Sequence, residues 1–171
     1  MSKDKPMKIA KALVVLVAVS AMAGCDKGKN TDYDAQKYAQ GKILELIKKQ
    51  AASNQEACET GRGLVANVKK LDQDTNVFEW STANCRERID PVSGITLSDV
   101  TVLRNKNGEI KSICSNVTGK NYDKSNVTVP AIVNEDGAFI QFEDSYLKES
   151  NPEKYNSLQE AFSMLSKTSC K

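Results

Sequence analysis

The sequence predicts an α+β domain, a small antiparallel sheet of about four strands with helices before it and one helix after it. Three observations carry this expectation. Ile43, Leu44, Ile47 and Ala51 recur at helical spacing early in the chain. Asn107-Gly108 and Asp136-Gly137 are hairpin turn signals inside a middle region rich in β-branched residues. Near the C-terminus, Asn151-Pro152 is a helix start followed by an apolar stripe.

Taken in order, residues 26–34 are polar and predict a flexible tether, with Asp32 or Asp34 available to cap the first helix. That helix is expected over 35–52. A second helical pattern runs over 56–71 through Cys58, Gly61, Leu64, Val65, Val68 and Leu71, weakened by Gly61 and Gly63. Residues 72–76 (DQDTN) form a turn, and a short helix over 78–89 ends before Pro91. Residues 95–104 predict a strand whose apolar phase switches near Asp99, which points to a bulge. Residues 110–118 answer it across the Asn107-Gly108 turn. Residues 127–133 form a strand placed at the sheet's edge because Pro130 cannot donate to a ladder. Residues 138–143 come after the second turn. In the last helix Tyr155, Leu158, Phe162 and Leu165 share one stripe, expected to pack on the sheet, with a docking face for a partner helix as the alternative.

The N-terminus has the three parts of an export signal: Lys3, Lys5, Lys8 and Lys11, then an apolar run over 12–21, then Met22-Ala23-Gly24-Cys25. The run is short for a membrane span, which takes about 20 residues. An in-frame Met7 gives a more compact signal. Ala23-Gly24-Cys25 resembles the lipobox of bacterial lipoproteins, with Met22 where leucine is commoner. The resemblance implies cleavage before Cys25 and a thioether-linked diacylglyceryl group on its sulfur. Asp26 resembles the residue that retains such proteins in the inner membrane of Gram-negative bacteria, on the periplasmic face. The domain plan is therefore a signal over 1–24, an anchored tether over 25–34 and a single domain over 35–171.

Cleavage changes the charge balance. The whole chain carries +2, but residues 25–171 keep 20 basic and 21 acidic side chains. Without a basic excess, nucleic acid is not an expected partner. There is no histidine, so the commonest general base and metal ligand is missing. Cys58, Cys85, Cys114 and Cys170 remain after Cys25 is used. In an exported chain four cysteines predict two disulfides. The expected pairing is Cys58–Cys85 with Cys114–Cys170, and the alternative is Cys58–Cys170 with Cys85–Cys114. No CxxC spacing supports a zinc or redox site, and no cofactor is expected.

Asp90-Pro91-Val92-Ser93, Asp99-Val100 and the run from Ile113 through Cys114-Ser115-Asn116 to Gly119-Lys120-Asn121 resemble a small bacterial domain with the pattern DPxS…vCGxVNxKN. Ser115 stands where that pattern has glycine, and its Gly-Gly-Tyr is missing. The resemblance supports the strand–hairpin–strand reading and implies no activity.

Other motifs carry weaker signals. Asp72-x-Asp74-x-Asn76 opens like a calcium loop, but Val77 and Ala83 stand where glycine and glutamate are needed. Ser145-x-x-Lys148 matches an SxxK nucleophile pair in a chain too short for that fold. Ser-Asn-Val-Thr occurs at 115–118 and again at 125–128, consistent with two paired strands or with coincidence. Glu135-Asp136 and Glu143-Asp144 read as a solvated acidic end. Trp80 reads as core or amphipathic covering, with a binding hot spot as the other reading. The expected function is a lipid-anchored protein-interaction module, of the immunity, inhibitor or exclusion kind, with a membrane and a protein as partners. Two alternatives remain: an envelope-complex assembly factor, and an enzyme or ligand binder acting on cell wall or lipid. The last requires Asp90, Asp99 or Asp123 to converge in a cleft.

Overall fold

The computed structural model describes residues 31–71 and 74–171, without the side chains of Asn76 and Val77. Cys25, Asp26, the expected signal and most of the tether lie outside the described residues.

A single helix, α1 (Asp32–Lys70, 39 residues), replaces the two helices expected over 35–52 and 56–71. It starts inside the expected tether. Thr31, rather than Asp32 or Asp34, is the N-cap. Its hydroxyl accepts from the Asp34 backbone N–H at 3.2 Å, and the Asp34 carboxylate reaches back to the Thr31 backbone N–H. That reciprocal pair forms a capping box. At 1.5 Å per residue α1 is about 58 Å long, longer than the strands it covers, so its two halves need different partners. Ala35, Ala39, Ile43 and Ile47, spaced by four, bury the first half on the sheet. The second half packs on a 3₁₀ helix (Asn76–Thr82) and on α2 (Ala83–Glu87), which together fill the expected 78–89 helix.

Gly61 explains why the second half tolerates a poor helix former. A Cβ there would lie 1.7 Å from the Ser81 carbonyl oxygen. The backbone of the 3₁₀ helix therefore touches the backbone of α1, and only glycine leaves that room. One turn earlier, the disulfide Cys58–Cys85 locks the same contact, with Cα atoms 4.8 Å apart.

The sheet is an antiparallel meander, β1 (Ile95–Arg104), β2 (Ile110–Lys120), β3 (Asn126–Asn134) and β4 (Gly137–Ile140), in the order β1-β2-β3-β4. The register shifts between Ser98 and Thr101, and Asp99 takes φ +52°. This is the bulge that the phase switch predicts. Beyond it Val102 faces α1, in register with Ile113. The core under α1 is Ile89, Ile95, Ile113, Val117, Val129, Ala131 and Val133.

Pro130 does not put β3 at the edge, because β3 lies between β2 and β4. The reason lies in β4, which stops at Ile140. The Gln141 backbone N–H donates to the Pro130 carbonyl at 3.1 Å, so the Pro130 nitrogen also faces that side, just where β4 has ended. β3 is interior over residues 131–134 and behaves as an edge at Pro130.

The opposite face of the sheet is polar near β1. Thr96, Thr118 and Thr128 stand side by side across three strands, and the last two hydroxyls are 2.8 Å apart. The two Ser-Asn-Val-Thr segments thus lie on, or lead into, the paired strands β2 and β3. The rest of this face receives α4 (Pro152–Ser169), while α3 (Ser145–Ser150), which the sequence does not announce, packs on α4 and on the 3₁₀ helix. Asn151 caps α4, its side chain accepting from the Lys154 backbone N–H at 3.0 Å. The C-terminal end of α4 is tied to β2 twice, by the disulfide Cys114–Cys170 and by the Ser112 hydroxyl, which donates to the Ser169 carbonyl. The four cysteines therefore pair as expected.

Candidate functional site

The carboxylates named as possible catalytic groups are each engaged elsewhere. Asp90 is buried; its carboxylate accepts from the Val92 backbone N–H at 3.0 Å and from the Lys124 ammonium at 2.9 Å. The Lys124 ammonium holds the Asp90 carboxyl below the usual carboxylate range, against the opposing effect of burial. Asp123 pairs with Arg62 of α1 at 2.5 Å. Asp99 sits in the bulge, where Asn116 donates to it at 2.7 Å. None of the three lines either of the two cavities described below.

Asp90 belongs to a joint that accounts for the DPxS and GKN residues. Ser93 donates to the Asp90 carbonyl at 2.7 Å and accepts from the Lys120 backbone N–H at 3.1 Å. The Asn121 side chain accepts from the Asp123 and Ser125 N–H groups and donates to the Arg86 carbonyl at 2.8 Å. A Cβ on Gly119 would lie 2.6 Å from the Ile89 side chain. The Tyr122 hydroxyl donates to the Ala51 carbonyl at 3.2 Å, and burial raises its pKa. These residues fasten the helical end of the molecule to the β2–β3 turn. Buried Ser115, where the pattern has glycine, has a hydroxyl with no hydrogen-bond partner among the described residues.

The other motifs resolve simply. Ser145 donates to Glu87, not to Lys148, and Lys148 is exposed. Trp80 is half-buried, 5.3 Å from the Tyr146 ring and 6.4 Å from Phe78. Asp72 lies outside the described residues. Among those described, no three His, Cys, Asp or Glu residues are grouped to hold a metal. No described helix is long and apolar enough to cross a membrane.

A groove of about 1000 Å³ runs along β4, between α1 and α4. Ala138, Phe139, Ile140, Gln141 and Phe142 line it in unbroken succession. Side chains alternate between the faces of a strand, so consecutive residues share one groove only if it runs along the strand's edge. Leu46, Lys49, Gln50, Ser53 and Asn54 of α1 form one wall, and Tyr155, Leu158, Ala161, Phe162 and Leu165 of α4 form the other. The α4 stripe thus faces an open groove instead of sealing onto the sheet, and Leu158 remains 53% exposed. Arg88 closes one end, 2.6 Å from Asp144 and 4.9 Å from the centre of the Phe142 ring. A smaller, more polar cavity of about 380 Å³ adjoins it past the end of β4, near Glu87, Glu143 and Pro130.

The periodicity of α4 predicts an apolar face but not what that face meets. The brevity of β4 leaves the groove open, and the only sequence signal for it is the polar run after Phe142. No family model, curated protein or solved structure matches the chain.

Proposed function

We propose that this chain is a lipid-anchored protein-interaction module, displayed on the periplasmic face of a bacterial inner membrane through Cys25, with Asp26 as the sorting residue. The lipobox-like Met22-Ala23-Gly24-Cys25 supports the anchor. The observation that carries the interaction role is the groove, an apolar slot left open in a domain braced by two disulfides. An immunity, inhibitor or exclusion role fits such a rigid receptor. The engagement of Asp90, Asp99 and Asp123 away from both cavities favours docking over chemistry on cell wall or lipid.

Two measurements test this reading. A fatty-acid probe should label the wild-type chain and leave Cys25→Ala unlabelled; equal labelling would remove the anchor. The mature chain should recover a specific protein from an envelope extract, and Leu158→Arg should lose it. Recovery of nothing, or the same recovery with Leu158→Arg, would contradict docking in the groove.

A further inference from the structure

We propose that the free edge of β4 accepts an extended peptide segment as an additional strand of the sheet, seated between α1 and α4. The inference rests on the interaction reading and names the chemistry of the partner.

The hydrogen-bonding phase of β4 supplies the first reason. Gln141 donates to Pro130, and antiparallel pairs alternate. The pair Phe139–Ile132 is therefore bonded like Gln141–Pro130, while Ala138–Val133 and Ile140–Ala131 are the non-bonded pairs. The N–H and C=O groups of Ala138 and Ile140 consequently point away from β3, into the groove. Among the described residues no partner for them is found. A ligand of pure hydrocarbon would leave these groups unsatisfied, at about 1–3 kcal/mol each, whereas an extended main chain satisfies them.

The walls supply the second reason. α1 and α4 lie on opposite faces of the sheet and both overhang its edge. A second copy of this chain would have to bring its own α1 and α4 up against these walls, which disfavours edge-to-edge pairing of two β4 strands. A strand in the slot meets Leu46 on one side and Phe162 and Leu165 on the other. Strands covered on both faces are near-continuous apolar runs, so the segment is a short run of valine, isoleucine or leucine. Charge selects its flank. Arg88 and Asp144 neutralise each other, while Lys49 at the rim has no ion-pair partner among the described residues. An acidic residue beside the apolar run complements Lys49.

The test uses the mature chain in detergent micelles with peptides of about five β-branched residues. Three have acidic, neutral or basic ends, and a helical peptide of similar composition is the control. Amide exchange is read residue by residue. The acidic-ended peptide should slow exchange at Ala138 and Ile140 by about tenfold or more at saturation, with Phe139 and Gln141 unchanged. Ile140→Pro, which deletes one outward N–H, should abolish this effect. Lys49→Glu leaves the strand intact and should weaken the acidic-ended peptide by about threefold at low salt.

Four results would overturn the inference: no peptide protects these amides; the helical control binds better; detergent alone fills the groove without protecting them; or protection grows with protein concentration in the absence of peptide, the mark of a second copy. If an envelope partner is recovered yet no peptide protects, the partner docks by other means and only this inference falls. If peptides protect but no envelope protein is recovered, strand addition stands and the assignment of the partner to the envelope falls.

Discussion

α1 and α4 cover opposite faces of the same sheet, and they are held there by opposite means. The first half of α1 buries a dry column of Ala35, Ala39, Ile43 and Ile47 against Ile113, Val117 and Val133. Small residues at two of the four positions bring the helix close, and the apolar surface does the holding. α4 has the larger side chains, yet Leu158 stays 53% and Met164 62% exposed. Its firmest hold on the sheet lies at its end, through Cys114–Cys170 and the bond from Ser112 to Ser169, with a side-chain bond from Gln141 to Gln159 midway along it. A helix sealed along its length leaves no gap beneath it, whereas a helix strapped at one end can stand off the sheet's edge. The disulfide thus permits an apolar slot to stay open in a stable fold.

The comparison predicts a ranked set of effects. Cys114→Ser with Cys170→Ser opens a link across 56 residues, which the chain-entropy model values at about 4 kcal/mol. Chemical denaturation should show that loss, and amide exchange should rise in α4 well before it rises in the first half of α1. Ile43→Ala, at a fully buried position, should cost about 3 kcal/mol and raise exchange throughout the sheet. Equal local effects of the two changes would break the distinction between the helices.

Asp90→Asn should cost about 1 kcal/mol through the weakened turn cap and the lost pairing with Lys124. The wild type should show a matching pH dependence. The Asp90 pKa is lowered in the fold, so its contribution is fully present above the unfolded value of about 3.9 and is lost as pH falls through the lower, folded value. The Asn variant should lack that share of the acid-side decline. Leu158→Ser should change stability by less than about 0.5 kcal/mol while weakening docking. Ser115→Ala removes a buried hydroxyl that has no partner among the described residues and should be neutral or stabilising, by up to about 1 kcal/mol.

Local rules make much of this fold legible in the sequence. The Asp99 bulge, both hairpins, the Asn151 cap and the presence of two disulfides follow from patterns a few residues long or from cysteine count, whereas the choice between the two pairings is made by the fold. Sequence reading fails where distant contacts decide. Gly61 suggests a weak helix, but the backbone of Ser81 against it is what requires glycine. Pro130 suggests an edge strand, but the length of β4 sets where the edge falls. The joint residues Asp90, Ser93, Gly119 and Asn121 stand out as a pattern, and their use as fasteners becomes apparent only where the β2–β3 turn meets α2. The groove is least legible, since it depends on what α4 does not touch.

The most direct measurement is amide exchange in residues 25–171 without ligand, read at adjacent residues of β4. An open slot predicts fast exchange at Ala138 and Ile140 beside slow exchange at Phe139 and Gln141, whose N–H groups point to β3. Uniform protection along residues 138–141 would mean that the groove is already filled, and would contradict the picture of α4 as a strapped helix over an open edge.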